Sequence, residues 1–320
     1  MIGFVIDKIG VTASPQDPNM AHRTVEQLRN GMKFSAQIVQ LAESRQDVEA
    51  INASFEARDE TLIPIRVYRP MGSGPRLPVV LFIHGGGWVF GDLDTYDSFA
   101  RKICFESGFI VVGVEYRLAP EYPFPIGLND AHDALKWIWN APKLLSSFGA
   151  DPKQIAIVGD SAGGNLAAVT SVLVKGQIPL KLQALLYPGI RLCDNVLSHY
   201  TSSRVQHSKG VILNTATLAF MRDLYLPNPE QDCADGRVSP ILFSEHDLSS
   251  VAPAFIITAS ADPLMTEGLE YVAKLARSGV KVKHVHFNNT FHGFMSIPLC
   301  DHFEDSFSSL ASALREAFGV

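Results

Sequence analysis

The sequence predicts an α/β fold, with a mostly parallel central sheet, helices on both of its faces and a helical cap. Short apolar runs alternate with helical stretches from about residue 78 onward, which is the pattern of α/β proteins. Most of these runs are continuous Val, Ile and Leu segments, as expected for parallel strands that are covered on both faces. One interval, residues 190–239, contains no convincing strand and is too long for a plain connection.

The alternation consists of six predicted strands and the helices between them. The strands are expected at residues 78–84, 109–116, 154–160, 182–188, 254–260 and 281–287. The helices are expected at residues 96–107, 130–142, directly after Ser161, at 265–279 and at 305–318. Strands and helices in this order are typical of a doubly wound sheet.

The first 60 residues differ from the rest of the chain. Residues 20–51 are polar with apolar residues at roughly helical spacing, which predicts one or two amphipathic helices. We therefore expect residues 1–60 to supply an N-terminal helical cap segment and a lead-in strand. Residues 61–320 are expected to form the α/β domain that carries the chemistry, with residues 190–239 inserted into it as a further part of the cap.

Composition excludes several classes of protein. Of the 320 residues, 47% are hydrophobic and 19% are charged, which is ordinary for a globular protein. The formal net charge is −6 and the basic residues are scattered, so no nucleic-acid partner is expected. No apolar run is long enough for a membrane span, and the first residues do not resemble a signal peptide. The four cysteines are far apart, so neither a disulfide framework nor a zinc site is expected and the predicted location is the cytoplasm.

A candidate nucleophile lies in the run Gly159-Asp160-Ser161-Ala162-Gly163, between a predicted strand and a helical stretch. A G-x-S-x-G run by itself also occurs by chance, and the strand and helix around it are the context that this motif requires. A sharp turn there lifts the serine above the sheet, and the small flanking residues let the strand and the helix approach each other. The helix start also directs N–H groups and a positive dipole end toward the serine.

A serine hydroxyl needs a base to take its proton and a third group to orient that base. Among the ten histidines, His292 follows the last predicted strand, where a loop can reach the carboxyl edge of the sheet. His284 and His286 lie inside that strand and are expected to be packing or edge residues. Asp262 follows the preceding strand directly, although it is also placed to cap the next helix. The chain order Ser161, Asp262, His292 suits a catalytic triad.

Three glycines follow the first core strand, in the run His84-Gly85-Gly86-Gly87-Trp88. They are compatible with a simple tight turn, whereas a phosphate-binding loop is not supported because the run has neither a lysine nor a G-x-G-x-x-G frame. A carbonyl oxygen that becomes an anion during attack needs donors about 3 Å away. We expect the first two glycines of this run to supply such donors and the third to serve the turn.

These motifs together resemble one known family. The segments HGGGW, YRLAPE, GDSAGGN, ADPL and FHGF, in this order between about residues 78 and 294, are similar to those of the hormone-sensitive-lipase family of α/β hydrolases. Two further segments, GDLDTYD and SPILFSEHDLSSVAPAFI, resemble its bacterial acetyl esterase branch. The resemblance implies an N-terminal cap over the site and short acyl esters as substrates. The site residues that it implies are a triad of Ser161, Asp262 and His292 and an oxyanion hole of Gly85, Gly86 and Ala162.

Further expectations concern the surroundings of these residues. Trp88 and Asp160 are assigned to the substrate pocket. The family often continues its D-P-L motif with Arg-Asp-Glu-Gly, whereas this chain has Met-Thr-Glu-Gly at residues 265–268. We therefore expect a charge contact beside Asp262 to be absent or replaced.

The predicted function is that of a serine carboxylesterase that hydrolyses short- to medium-chain acyl esters without a cofactor. Its expected partner is a small-molecule ester, and a homo-oligomer is compatible with the sequence. Two alternatives remain open. One is an amidase or deacetylase acting on aryl amides, since the choice between ester and amide depends on leaving-group protonation and pocket shape. The other is a non-catalytic ligand receptor on the same fold, which would lack the histidine present here as His292.

Overall fold

The computed structural model describes residues 47–140, 142–193, 202–210 and 212–320, together with residues 25–27, 29–31 and 33. Its strands are β1 (Val48–Glu56), β2 (Leu62–Pro70), β3 (Leu77–Ile83), β4 (Ile110–Val114), β5 (Ala150–Asp160), β6 (Leu182–Leu186), β7 (Ala254–Ala261) and β8 (Val282–Phe291). They form one sheet in the order β1-β2-β4-β3-β5-β6-β7-β8. Strand β2 pairs antiparallel with β1 and β4, and the other neighbours pair in parallel.

Helices connect these strands and cover the sheet. They are α1 (Asp97–Ser107), α2 (Ile126–Asn140), α3 (Pro142–Ser147), α4 (Ala162–Leu173), α5 (Ser202–Gln206), α6 (Thr215–Tyr225), α7 (Pro229–Asp232), α8 (Glu245–Leu248), α9 (Met265–Arg277) and α10 (Phe303–Phe318). Short 3₁₀ helices span Pro240–Leu242 and Phe294–Ser296. Among the described residues, no helix combines the length and the apolar character needed to cross a bilayer.

The core consists of two apolar layers, one on each face of the sheet. Along β3, Val79, Leu81 and Ile83 belong to one layer, whereas Val80 and Phe82 belong to the other. The first layer includes apolar residues of α2, α4 and α9, and the second includes those of α1 and α10. Both faces of this central strand are buried, which explains its continuous apolar sequence. The predicted α/β class, with a mostly parallel sheet and helices on both faces, is confirmed.

The N-terminal part of the sheet corrects one expectation. Residues 48–51, expected to be helical, begin strand β1, and β2 was not among the predicted strands. The physical reason is pairing: β1 and β2 form a continuous antiparallel ladder from Val48 opposite Pro70 to Glu56 opposite Leu62. The described residues among 25–33 are helical, and the rest of the expected N-terminal helices lies outside the described residues.

The described residues of the interval 190–239 contain helices α5 to α7 and no strand. The division of the chain into a cap segment, an α/β domain and a cap insertion stays a prediction at this point. The predicted cytoplasmic location likewise stays a prediction.

The carboxyl edge of the sheet gathers the candidate residues. Strand β5 ends at Asp160, β7 at Ala261 and β8 at Phe291. The residues that follow directly are Ser161, Asp262 and His292. Because parallel strands end on the same edge, these three side chains start from neighbouring positions.

Candidate active site

Ser161 occupies a strained turn between β5 and α4. Its backbone has φ 53° and ψ −117°, a left-handed conformation that costs a residue with a side chain about 1–3 kcal/mol. Its surroundings hold it there: the Ser161 N–H donates to Leu186 O at 2.8 Å, and the Gly189 N–H donates to Ser161 O at 3.2 Å. The strain is thus maintained by the strand beside β5 and the loop that follows it.

The two glycines of the G-x-S-x-G run are required by close packing. A Cβ atom at Gly159 would collide with the carbonyl group of Gly163. A Cβ atom at Gly163 would collide with the carbonyl oxygen of Ile83 at the end of β3. Strand β5, helix α4 and the end of β3 therefore meet without room for a side chain, which is the context predicted for this motif.

Three side chains form a hydrogen-bonded chain at the sheet edge. The Ser161 hydroxyl lies 2.7 Å from His292 Nε2, and His292 Nδ1 lies 2.9 Å from Asp262 Oδ2. With its proton on Nδ1, the imidazole donates to the carboxylate and its Nε2 accepts from the hydroxyl. Asp262 is 1% exposed and His292 is 6% exposed. The structure therefore brings together the three residues that the sequence singled out.

Asp262 has a second contact that explains its alternative interpretation. Its Oδ1 accepts a hydrogen bond from the Leu264 N–H at 2.8 Å, just before α9 begins at Met265. One carboxylate oxygen therefore holds the turn into the helix, while the other faces His292. The turn contact fixes the carboxylate and does not compete with the histidine contact.

The glycine loop corrects the expected oxyanion hole. The Gly85 N–H donates to Asp160 Oδ1 at 2.7 Å in a buried contact, so it is not available to a substrate oxygen. The N–H groups of Gly86, Gly87 and Ala162 donate to no acceptor within the described part of the chain. Gly87 and Ala162 also line the same cavity as Ser161. The contact with Asp160 therefore contradicts the expected part of Gly85, and nothing in the sequence showed which glycine binds Asp160.

Asp160 supports this loop from below and does not belong to the pocket lining. It is 2% exposed, and its second oxygen accepts from the Tyr96 hydroxyl at 3.2 Å. Burial raises the pKa of Asp160 to about 7, while the hydrogen bond from Gly85 opposes that rise. Its assignment to the substrate pocket was therefore wrong: it orients the glycine loop.

His84 stiffens the same loop. Its Nδ1 lies 2.8 Å from the carbonyl oxygen of Gly85, and its ring stacks on Tyr116 with centroids 4.4 Å apart. Burial lowers the pKa of His84 to about 4, so the imidazole is neutral at ordinary pH. A buried neutral ring suits a structural part better than proton transfer.

Ser161 lines a cavity at the carboxyl edge of the sheet. Trp88 forms part of its wall and stacks on Tyr225 with centroids 4.7 Å apart and planes 9° apart. Several lining residues come from the interval 190–239. The lining comprises Gly87, Trp88, Ser161, Ala162, Gly189, Arg191, Leu192, Arg204, Leu213, Leu218, Met221, Arg222, Leu264 and Glu267.

Helix α5 binds the segment that follows Asp262, where the chain departs from the family pattern. The Ser203 hydroxyl donates to Pro263 O at 2.8 Å, and the Thr266 N–H donates to Ser203 Oγ at 3.0 Å. Uncharged hydrogen bonds thus connect the loop beside the carboxylate to α5. We expected the charge contact of the family to be absent or replaced beside Asp262, and these uncharged hydrogen bonds lie at that position.

Glu267 was not singled out from the sequence, yet it is a central buried charge of the site. Its Oε1 accepts from the N–H groups of Ile190 at 2.7 Å and Arg191 at 3.0 Å. Its Oε2 lies 2.7 Å from an Nη atom of Arg204. Burial raises the pKa of Glu267, and the Arg204 charge opposes that rise. One signal was present in the sequence: Glu267 lies at an inward position in the first turn of α9. An acidic residue at such a position is easily interpreted as a surface residue.

A strained serine at a strand-to-helix turn, with a carboxylate that follows β7 and a histidine that follows β8, defines the class of α/β hydrolases. Comparison with known proteins identifies the family directly. Residues 80–296 match the family model described as alpha/beta hydrolase fold. The chain belongs to this family, within its hormone-sensitive-lipase group, as the sequence motifs predicted.

Several of the similar proteins are esterases. Carboxylesterase NlhH of Mycobacterium tuberculosis is 39% identical over 75% of this chain and 73% of its own length. Carboxylic ester hydrolase LipN of the same organism is 38% identical over 73% of this chain, and the match spans 61% of LipN. Among solved structures, an esterase of Pyrobaculum calidifontis superposes with a TM-score of 0.85 at 34% identity, covering 94% of this chain and 96% of that one.

Proposed function

We propose that the chain hydrolyses short- to medium-chain acyl esters, with Ser161 as the nucleophile, His292 as the base and Asp262 as the group that orients it. The broader class is that of its relatives: the chain is a carboxylic ester hydrolase. The observation that carries the finer proposal is the hydrogen-bonded chain from Ser161 through His292 to Asp262, with distances of 2.7 and 2.9 Å.

This geometry supports acyl transfer in two steps. His292 Nε2 takes the hydroxyl proton as Ser161 Oγ attacks the ester carbonyl, and Asp262 stabilises the resulting imidazolium. His292 then returns the proton to the departing alcohol, which leaves an acyl group on Ser161. Water, activated by the same imidazole, attacks this acyl group and releases the acid.

The anionic oxygen of each tetrahedral intermediate needs donors that are already in place. We assign this part to the N–H groups of Gly86, Gly87 and Ala162, which have no competing acceptor among the described residues. The contact between Gly85 and Asp160, at 2.7 Å, holds the loop in position. Because the donors are fixed before the substrate arrives, little reorganisation is needed as the charge develops.

The shape of the cavity supports a preference for short acyl groups. Trp88 lines the cavity with its ring stacked on that of Tyr225, and Met221 of α6 lies beside Gly87. Each buried methylene of the acyl chain contributes about 0.8 kcal/mol until the wall is reached. A longer chain then has to displace protein, which is unfavourable.

We further propose that residues 1–60 and the insertion 190–239 form a cap over this cavity. Arg29 of the N-terminal segment donates to Val89 O at 2.9 Å and Ala119 O at 2.8 Å. It also pairs with Glu121 at 2.8 Å. This segment is therefore attached to the loop that begins at Trp88.

The test uses 4-nitrophenyl esters from acetyl to dodecanoyl, with the Ser161→Ala variant as the control. The wild type should be fastest between acetyl and hexanoyl and much slower at decanoyl. The variant should fold and fall to background, because loss of a triad nucleophile costs on the order of 10⁶ in turnover. A fluorophosphonate probe should label the wild type alone.

Three results would contradict the proposal. Rates that still rise at dodecanoyl would indicate a lipase. Substantial activity in Ser161→Ala would exclude this serine as the nucleophile. Faster turnover of aryl acetamides than of the matching aryl acetates would indicate an amidase. A non-catalytic receptor is disfavoured by His292, which is present and in contact with Ser161.

A further inference from the structure

The cavity above Ser161 concentrates positive charge. Three arginines line it, Arg191, Arg204 and Arg222, and Glu267 is the one acidic residue in its lining among the described residues. The chain as a whole has a formal net charge of −6. The positive lining is therefore opposite in sign to the net charge of the protein. A property of the substrate would explain this difference.

One of these arginines is already neutralised. Arg204 is 3% exposed and pairs with Glu267, which is 0% exposed, at 2.7 Å. A buried pair of this kind has little charge left for a ligand. The excess positive charge of the lining therefore belongs to Arg191 and Arg222.

Arg191 is fixed close to the nucleophile on the sheet side of the cavity. Its backbone N–H donates to Glu267 at 3.0 Å. Two residues before it, the Gly189 N–H donates to the carbonyl oxygen of Ser161 at 3.2 Å. The start of the Arg191 side chain is therefore held in place relative to the serine, independently of what the guanidinium binds.

The guanidinium of Arg191 has unused capacity for hydrogen bonds. It makes one side-chain contact with another described residue, from Nη2 to Glu270 at 2.7 Å. Its Nε is buried and has no acceptor among the described residues. Glu270 is 45% exposed, so this ion pair lies near solvent and is weak. A carboxylate in the cavity can therefore compete with Glu270 for the guanidinium.

Arg222 adds positive charge from the opposite, cap side. It lies on α6 and pairs with its neighbour Asp223 at 2.8 Å. Asp223 is 54% exposed, so solvent screens much of its charge. The remaining lining is largely apolar, including Leu192, Leu213 and Leu264.

We infer that the cavity selects esters that carry a carboxylate, with Arg191 as the main anchor and Arg222 as a second source of attraction. The inference rests on the proposed ester hydrolysis at Ser161 and deepens it. A guanidinium binds a carboxylate through parallel N–H donors, and the leucines suit the hydrocarbon that joins the carboxylate to the ester. One anchoring arginine among leucines fits a singly charged carboxylate better than a phosphate dianion.

The experiment compares two pairs of esters, each with a charged and a neutral member. On the acyl side, these are 4-nitrophenyl hydrogen glutarate and its methyl ester. On the alcohol side, they are 4-acetoxybenzoate and its methyl ester. Each kcat/KM is divided by the spontaneous hydrolysis rate of the same ester. In at least one pair, the charged member should be favoured about 10-fold, and added salt should reduce this preference.

Four variants assign the preference to named groups. Arg191→Gln should bring the ratio of charged to neutral substrate close to one, and Arg222→Gln should lower it less. Glu270→Gln should raise the ratio, because the guanidinium loses its competing partner. The control is Arg277→Gln on the outside of α9, where the arginine is 61% exposed and pairs with Glu245. This control should keep the ratio of the wild type.

Each outcome decides between support and rejection. A wild-type ratio at or below one in both pairs, with neutral esters hydrolysed well, would overturn this inference alone. Failure to hydrolyse any of the four esters would overturn both this inference and the proposed function. If the ratio of charged to neutral substrate kept its wild-type value in both Arg191→Gln and Arg222→Gln, the two arginines would not be the source of the preference, and the inference would be rejected. If Arg191→Gln does not fold, the other two variants decide. A higher ratio of charged to neutral substrate in Glu270→Gln and a lower ratio in Arg222→Gln would support the inference, and the absence of both shifts would reject it.

Discussion

Glu267 and Arg204 form an ion pair at 2.7 Å in which the side chains are 0% and 3% exposed. The same carboxylate accepts the N–H groups of Ile190 and Arg191. Glu267 stands on α9, which begins shortly after Asp262, and Arg204 stands on α5. One carboxylate therefore joins α9, the loop at Ile190 and Arg191, and α5.

Removal of this carboxylate should be costly. Glu267→Ala removes the carboxylate that neutralises the buried Arg204 guanidinium, and we expect the free energy of unfolding to fall by about 3–5 kcal/mol. Glu267→Gln should cost less, because it keeps an acceptor for the two backbone N–H groups. Urea unfolding measures both, with Glu245→Ala as the control, since its pair with Arg277 is exposed and should contribute less than about 1 kcal/mol. A small loss in Glu267→Ala would show that the buried pair is not important.

Asp262→Asn should give a folded but nearly inactive protein. The amide can keep the contact with Leu264, so the turn into α9 should survive. It cannot fix the His292 proton on Nδ1 in the same way, and we expect kcat to fall by about 10⁴. Turnover of 4-nitrophenyl butyrate and the rate of fluorophosphonate labelling check this. If Asp262→Asn kept a tenth of the wild-type kcat, Asp262 would not be a member of the triad.

Gly87→Ala tests the revised oxyanion hole. Gly87 has a φ of +61°, and a Cβ atom there would collide with the Met221 side chain. We expect kcat to fall by roughly 10²-fold with a smaller change in KM, because misplaced N–H donors act mainly on the transition state. The double variant Gly87→Ala/Met221→Ala should recover part of the loss. Unchanged kcat in the single variant would exclude Gly87 from the hole.

Asp160 should make stability depend on pH. Burial raises its pKa from 3.8 to about 7, so between these values the native state holds a proton that the unfolded state has lost. Unfolding releases that proton, and the contribution of Asp160 to the free energy of unfolding falls as pH rises from about 4 to 7. Relative to Asp160→Asn, the wild type should lose at least about 1 kcal/mol between pH 4.5 and pH 7.5. Parallel stability profiles for the two proteins would contradict this.

The sequence was most informative where chemistry follows directly from chain order. Continuous apolar strands predicted a parallel sheet, and parallel strands end at one edge. Residues that directly follow such strands must therefore be neighbours, as Ser161, Asp262 and His292 are. Strand β1 was partly missed because its identity as a strand depends on its pairing with β2, which local spacing does not show.

Other parts of the site depend on the direction of single side chains. Asp160 stands next to Ser161 in the chain but points beneath the glycine loop, where it occupies the Gly85 N–H. The direction of the Asp160 side chain decides which glycine N–H groups remain available to a substrate. No pattern of residues in the sequence specifies that direction. The charged lining was equally hidden, because Arg191, Arg204 and Arg222 come from a loop and two short helices whose packing arises only in the folded protein.

The sheet order has a consequence for how activity is lost on denaturation. Strand β5, which carries the serine, pairs with a strand on each side, whereas β8, which carries the histidine, is an edge strand. Partial opening of a protein starts preferentially from its least supported segments. Amide hydrogen exchange should therefore be faster along β8 than along β5. In mild urea, esterase activity should disappear before the intrinsic fluorescence of the core changes, so the enzyme loses its base while its nucleophile is still held in place.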